Sequence, residues 1–319
     1  MTSHINAADK LKVGVIGAGF MGELHASHYK ANDAVELIGV ADIVPDTARR
    51  VAERFDCAWY TDSAQLAELA DAISIAVPST AHYSVAEICL NRKVHVLIEK
   101  PLASSLEEAQ SIVELTHRNG VTCMVGHQER FNSAIMEASN RVDQPKYVEA
   151  HRQGKFGGRG GDVDVINDLM IHDIDLVLAF VKAPVASVSA LGTSVVTQHV
   201  DVANARIEFE NGSVANVTAS RVALERQRIF QVYTHHQYME LDLLNQTMTV
   251  RTTEDNNDGD ADTVTVESKV EVTPNITLKT EVNHFVDIVR NGGTPYVTVE
   301  DGLSAMQVAE MVRIQVNQN

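Results

Sequence analysis

An alternation in the first 125 residues constrains this chain more than any other feature. Residues 12–17 (KVGVIG), 35–41 (VELIGVA), 72–77 (AISIAV), 94–98 (VHVLI) and 121–126 (VTCMVG) are short apolar runs that read as strands. Residues 18–30, 46–55 and 104–117 carry helical periodicity between them. Strands apolar on both faces, alternating with helices, imply a parallel sheet covered on each side. Right-handed crossovers then leave a doubly wound sheet. The helix from Ser104 opens on Ser104-Ser105-Leu106-Glu107, which fits a capping box.

The pattern changes near residue 126. Residues 131–141 read as a helix, 147–152 as a strand and 164–181 as one long, apolar-rich helix. Residues 185–272 are β-rich. There Asn211-Gly212 links two runs as a two-residue hairpin, and further strands lie near 229–234 and 238–243. Helices return at 281–290 and 301–316. We therefore expect two domains, 1–125 and 126–319. The first is a doubly wound parallel α/β sheet. The second is an α/β domain on a large, mostly antiparallel open sheet, whose uncovered face suits a subunit interface.

The first strand runs into Gly17-Ala18-Gly19-Phe20-Met21-Gly22, a G-x-G-x-x-G turn that opens a helix. That context is what a dinucleotide site requires. The first glycine makes the turn, the second lets backbone approach a pyrophosphate, and the third packs helix on strand. The N–H groups of Phe20, Met21 and Gly22 at the helix start favour negative charge. Asp42 follows Gly22 by twenty residues and ends the second strand. A carboxylate there accepts hydrogen bonds from ribose hydroxyls and repels a 2′-phosphate. NAD is therefore the expected cofactor and NADP the less favoured one; Arg49 and Arg50 soften that preference. Ligands of doubly wound sheets bind beyond the carboxyl ends of the strands, so Pro78 and His82, after the fourth strand, are expected to line the cleft. His25 is expected to pack or cap on the first helix.

Glu99-Lys100-Pro101 lies at another carboxyl end. A Lys beside the reacting carbon can polarise a carbonyl oxygen and stabilise an alkoxide. Asp168 and His172 are four apart on the predicted 164–181 helix and share a face. A carboxylate one turn from an imidazole can orient it as a general base. No zinc-like spacing surrounds them, so no metal is expected. The acidic run at 254–262 does not fit a calcium loop and reads as a solvated hairpin tip. Arg130, Lys155 and Arg159 are basic, and the latter two sit in the Gly-rich run QGKFGGRGG. They are candidate ligands for substrate phosphates.

Composition limits the partners. The chain has 319 residues and a net charge of −17, with 45% hydrophobic and 22% charged residues. Such a field repels phosphate backbones and anionic bilayers, so neither nucleic acid nor membrane is an expected partner. No apolar run reaches the ~18 residues of a membrane span, and MTSHINAADK lacks a secretory pattern. Three cysteines without metal spacing suit free thiols in a reducing cytoplasm.

Together, Gly17–Gly22, Asp42, Glu99-Lys100-Pro101 and Asp168…His172 resemble the Gfo/Idh/MocA family (glucose–fructose oxidoreductase, inositol dehydrogenase and relatives). The likeness covers nearly the whole chain. It implies a Rossmann domain followed by an open-sheet domain. It also implies hydride transfer between a sugar or cyclitol hydroxyl and a nicotinamide cofactor, with Lys100 and His172 in the site and Asp168 in support. Residues 126–132 and the run DVDVINDLMIHDID look like the branch of the family that includes UDP-N-acetylglucosamine 3-dehydrogenases. Ser133-Ala134 stands where relatives there often carry a proline. The expected substrate is therefore a nucleotide sugar, with a free sugar or inositol as the alternative. A homodimer or homotetramer through the second sheet is also expected. A purely regulatory NAD(H)-binding protein would have no need of Lys100 and His172, and a cofactor-retaining lyase would show turnover without net NADH.

Overall fold

A computed structural model describes residues 10–157, 163–254 and 264–318. The first unit contains β1 (Leu11–Ile16), α1 (Phe20–Lys30), β2 (Val35–Ala41), α2 (Pro45–Phe55), β3 (Ala58–Tyr60) and α3 (Ser63–Ala67). It continues with β4 (Ala72–Ile75), α4 (His82–Asn91), β5 (His95–Glu99), α5 (Leu106–Asn119) and β6 (Cys123–Gly126). Six parallel strands lie in the order β3-β2-β1-β4-β5-β6, the doubly wound arrangement that the alternation implies. Leu11, Val13, Val15, Ile73, Ile75 and Val96–Ile98 are fully buried, because helices cover both faces.

Local chemistry sets the ends of the helices. Pro45 opens α2, and Gly120, at φ 61°, closes α5 in the left-handed region. The cap of α5 sits one residue later than the sequence suggests. Ser105 Oγ accepts from the Glu108 N–H at 3.2 Å, and the Glu108 carboxylate takes the Ser104 N–H and hydroxyl in return. The N-cap is therefore Ser105, with Glu108 closing on Ser104 before it, and not Ser104 with Glu107.

The second stretch brings α6 (Ser133–Ser139), β7 (Tyr147–Gln153), α7 (Ile171–Val181), β8 (Val185–Thr193), β9 (Val202–Phe209) and β10 (Val214–Ser220). It ends in β11 (Gln227–Tyr233), β12 (Gln237–Asp242), β13 (Thr247–Glu254) and β14 (Val264–Val270). Eight strands form one sheet, ordered β14-β13-β12-β11-β7-β10-β9-β8. Among the described residues only β7 and β10 pair in parallel in this sheet. Strict alternation on β7 and β9 buries one face, and α7 packs there against β7 and β10. Asn211-Gly212 turns β9 into β10 with Gly212 at φ 80°. The acidic run expected at a hairpin tip lies largely outside the described residues.

Helix α8 (Thr277–Asn291) and helix α9 (Val299–Gln318) follow. The chain forms two compact units. One runs to Gln128 and takes back Ile276–Ser304; the other is Glu129–Asn275 with the residues from Ala305 on. The sequence alone suggests a single break after residue 125. The first unit is instead discontinuous, because α8 packs on α1: Asn32 donates to Asn283 at 2.9 Å, and Arg290 donates to the Ala34 carbonyl at 3.1 Å.

The expected helix over 164–181 is two structures. Residues Ile166–Met170 form a π-helical turn, and only Ile171–Val181 is α-helical. Its entry is pinned from outside the helix: Val165 N–H donates to the Val200 carbonyl at 2.9 Å, and Asp164 accepts the Asn167 N–H at 2.8 Å. Such π turns recur at functional sites.

Candidate active site

In a parallel sheet every strand ends on the same edge. Gly17, Asp42, Pro78, Lys100 and His127 therefore all leave the first sheet at its carboxyl edge. Gly17 has φ +94°, and a Cβ there would lie 2.5 Å from the Ala76 carbonyl. At Gly22 a Cβ would lie 1.7 Å from the Gly17 oxygen, so α1 packs directly on the turn. A Cβ at Gly19 would meet nothing within 4 Å. The turn thus leaves open the one place where a pyrophosphate must approach. No side chain caps α1, and a helix start of this kind favours negative charge. Phe20 is 65% exposed on the first turn, beside the half-buried Met21.

Asp42 is held on both carboxylate oxygens. Ala18 N–H, inside the glycine turn, donates at 2.8 Å, and Val44 N–H donates at 2.9 Å. Each oxygen keeps a lone pair for a ribose hydroxyl. The arginines that softened the NAD preference have acidic partners elsewhere. Arg50 pairs with Glu23 at 2.8 Å, while Arg49 lies near Asp46 and over the Trp59 ring. The open space at Gly19, the uncapped helix and the held Asp42 fit NAD.

Pro78 is exposed and leads into a short 3₁₀ turn, Ser79–Ala81. His82 is 1% exposed, with Nδ1 at 2.8 Å from the Pro101 carbonyl and Nε2 at 3.0 Å from the Val77 carbonyl. Burial lowers its pKa despite those carbonyls. The neutral ring donates its single N–H to one of these carbonyls, so it ties down a loop of the sheet edge. Glu99 is buried against His25, 2.9 Å from the imidazole Nε2. Lys100 is half-buried in the next turn, and the Lys100–Pro101 bond is cis.

In the second unit Asp168 sits on the π turn and His172 on the first turn of α7; both are half-buried. Arg221, at the end of β10 and 4% exposed, places its guanidinium 3.8 Å from Asp168 and 3.8 Å from Asp201. It also donates to the Val163 carbonyl at 2.8 Å. Burial pushes the Asp201 carboxyl up. The backbone N–H groups of Val195, Val196 and Thr197, with the Thr197 hydroxyl, outweigh that and hold it well below the usual carboxylate range. Sequence reasoning missed Arg221 and Asp201. The only signal was an arginine directly after the strand Val214–Ser220, whose residues are all uncharged.

The basic candidates divide. Arg130 is 7% exposed and forks onto Asp175, at 2.8 and 2.7 Å. This buried pair braces α7, so Arg130 is a structural cation and not an open phosphate ligand. Lys155 is exposed, as a phosphate ligand requires, and Arg159 lies outside the described residues. Arg152, just before the Gly-rich stretch, is buried between Asp173 and Glu129. Among the described residues no group of three His, Cys, Asp or Glu side chains gathers to hold a metal.

A doubly wound sheet with an open glycine cradle and a ribose-facing carboxylate defines an NAD-binding oxidoreductase. The chain belongs to the Gfo/Idh/MocA family: residues 11–127 match its oxidoreductase NAD-binding Rossmann domain, and residues 134–240 match a C-terminal domain of the family. It is 38% identical over 240 residues to the UDP-N-acetylglucosamine 3-dehydrogenase of Acidithiobacillus ferrooxidans, covering 75% of this chain and 76% of that protein. A solved structure of UDP-N-acetylglucosamine 3-dehydrogenase from that organism matches with a TM-score of 0.92 at 31% identity, over 97% of this chain and 98% of the other. The scyllo-inositol 2-dehydrogenase (NAD(+)) of Bacillus subtilis is 26% identical, over 94% of this chain and 92% of that protein.

Proposed function

We propose that this enzyme oxidises a secondary hydroxyl of a UDP-N-acetylhexosamine, with UDP-N-acetylglucosamine as the first candidate. Bound NAD supplies the acceptor for the hydride. Lys100 and His172 address the same hydroxyl. His172 takes the O–H proton as the C–H bond gives up its electron pair and the carbonyl forms. The Lys100 ammonium donates to the oxygen and stabilises its developing negative charge. Asp168 orients His172, and Arg221 fixes Asp168 from behind. Lys155, with Arg159, offers cations for the diphosphate.

The observation that carries this reading is Lys100 at the sheet edge that also holds the open glycine turn and Asp42. The similarity to the Acidithiobacillus enzyme supports the substrate class. A free cyclitol is the second reading, supported by the longer alignment with the inositol enzyme. NADH formation from NAD+ with UDP-N-acetylglucosamine, UDP-glucose, glucose, myo-inositol and scyllo-inositol separates the two. We expect the highest kcat/KM with UDP-N-acetylglucosamine; a preference for an inositol would replace the nucleotide-sugar reading.

The enzyme is further proposed to act in the cytoplasm as a homodimer or homotetramer joined through the open face of the eight-stranded sheet. On that face Tyr147, Tyr233 and Tyr238 cluster, with ring centroids 5.3 and 4.8 Å apart. All three cysteines are free thiols, in keeping with a reducing compartment. No helix among the described residues is long and apolar enough to cross a membrane. Light scattering of the purified protein tests the assembly, and a monomer at micromolar concentration would refute it.

A further inference from the structure

Behind the Lys100 turn runs a line of buried polar groups that the proposed chemistry does not use. Tyr29 and His25 are four apart on α1 and face β4 together. Tyr29 Oη lies 2.7 Å from Ser74 Oγ, Ser74 Oγ lies 2.9 Å from His25 Nδ1, and His25 Nε2 lies 2.9 Å from Glu99 Oε1. Tyr29, Ser74 and His25 are 0% exposed and Glu99 is 9% exposed.

Donor accounting gives the line a direction. An ionised carboxylate only accepts, so His25 Nε2 carries a proton and donates to Glu99. A neutral ring then has a bare Nδ1, which accepts from the Ser74 hydroxyl, whose oxygen accepts in turn from Tyr29. Burial keeps the Tyr29 hydroxyl protonated far above its usual range, so it remains a donor. Every proton is placed with one neutral histidine tautomer. The reverse direction would leave the Tyr29 O–H seeking another acceptor in a fully buried position.

Glu99 is also fixed from its other side, since a Cβ at Gly126 would come within 3.1 Å of the Glu99 Cα and 3.3 Å of its carboxylate. The residue after Glu99 is Lys100, and the helix bearing His25 and Tyr29 starts at the glycine turn. We propose that Tyr29, Ser74 and His25 form a directed hydrogen-bond chain that ties Glu99, and with it the Lys100 turn, to the helix that faces the pyrophosphate. His25 is thus a positioning residue of hydride transfer. This rests on the reading that Lys100 addresses the reacting oxygen.

The test starts on the protein itself. Nitrogen NMR of histidine-labelled enzyme reads the His25 tautomer without any substrate. The chain requires a neutral ring protonated on Nε2, with an Nδ1 resonance that moves toward the free imine position in Ser74→Ala. A doubly protonated ring, or a proton on Nδ1, overturns it. Kinetics with NAD+ and UDP-N-acetylglucosamine follow. Gln at 25 can donate to Glu99 and accept from Ser74, whereas Phe fills the space without either bond. We expect His25→Phe to lower kcat about 50-fold with KM for NAD+ within about threefold, the scale of an ångström of misplacement. His25→Gln should stay within about fivefold of wild type. Equal loss in both variants, or wild-type rates in His25→Phe, overturns the proposal; if His25→Phe does not fold, Ser74→Ala and Tyr29→Phe should each show the same kcat-weighted loss. Lys100→Met in the same series separates the two claims. Its inactivity beside an unaffected His25→Phe overturns the chain alone, while wild-type rates in Lys100→Met overturn the Lys100 reading.

Discussion

Replacing Asp42 by Asn changes one atom and removes a charge at a place where the geometry leaves little freedom. Two backbone N–H groups, from Ala18 and Val44, donate to the two carboxylate oxygens at 2.8 and 2.9 Å. An amide can accept one of them and must turn its NH₂ toward the other, and a donor left without an acceptor costs about 1–3 kcal/mol. The Ala18 N–H belongs to the glycine turn, so that local cost also loosens the pyrophosphate cradle. Hydrogen bonds from ribose hydroxyls to a charged acceptor are worth about 1.5–3 kcal/mol, and at most one survives in the amide. The dissociation constant for NADH should therefore rise roughly 10- to 150-fold. NADPH should lose less, because the carboxylate that repels its 2′-phosphate is gone. The variant should not become an NADPH enzyme, since Arg50 stays paired with Glu23. Titration of nicotinamide fluorescence with both cofactors measures the two constants. An NADH constant within twofold of wild type, or an unchanged NADH-to-NADPH ratio, would refute the role given to Asp42.

The glycine turn supports a contrast between two alanine variants. Gly19→Ala has room for its methyl group and should melt like wild type while binding NADH at least about tenfold more weakly, because the methyl occupies the pyrophosphate approach. Gly22→Ala drives a methyl into the Gly17 carbonyl and should lower both melting temperature and binding. Burial pushes the thiols of Cys57 to about 11 and of Cys89 and Cys123 to about 12. At pH 8 a thiol reagent should therefore modify the native enzyme only slowly, and all three sites should react at once after unfolding. Asp201→Ala deletes a carboxylate held by three N–H groups and a hydroxyl, so it should cost on the order of 2–4 kcal/mol at pH 7. The folded-state pKa of Asp201 is depressed, so its contribution is complete above the unfolded value near ~3.9 and is lost as pH falls below it. The gap between the melting curves of wild type and variant should accordingly begin to narrow only below about pH 4 and still be present at pH 3.

Five strands of the first sheet were legible because they are apolar runs and each glycine of the turn has a steric reason; β3, three residues long and largely exposed, carries no such run and was not. Asp42 and the Lys100 turn could be placed because parallel strands share one carboxyl edge. What escaped the sequence depends on partners distant along the chain. Asp201 and Arg221 meet Asp168 only after the second sheet forms, and no local periodicity announces a triad spread over more than fifty residues. The π turn was hidden because five residues of π-helix carry the same apolar pattern as α-helix. Arg130 looked like a phosphate ligand until Asp175, 45 residues away, took both arms of its guanidinium. His82 sat in the right loop, yet its ring nitrogens face backbone carbonyls that no sequence pattern reveals. Helix α8 reads as part of the second domain by position alone; only its packing on α1 returns it to the first.

Single-turnover hydride transfer with NAD+ and UDP-N-acetylglucosamine, followed as NADH absorbance in wild type, Lys100→Met, His172→Asn and the double variant, tests the central claim most directly. If both side chains act on one hydroxyl, each single variant loses at least about 100-fold, and the double variant loses far less than the product of the two, as groups working as a unit do. A single variant that binds NADH normally and keeps its transfer rate within twofold of wild type would contradict the claim.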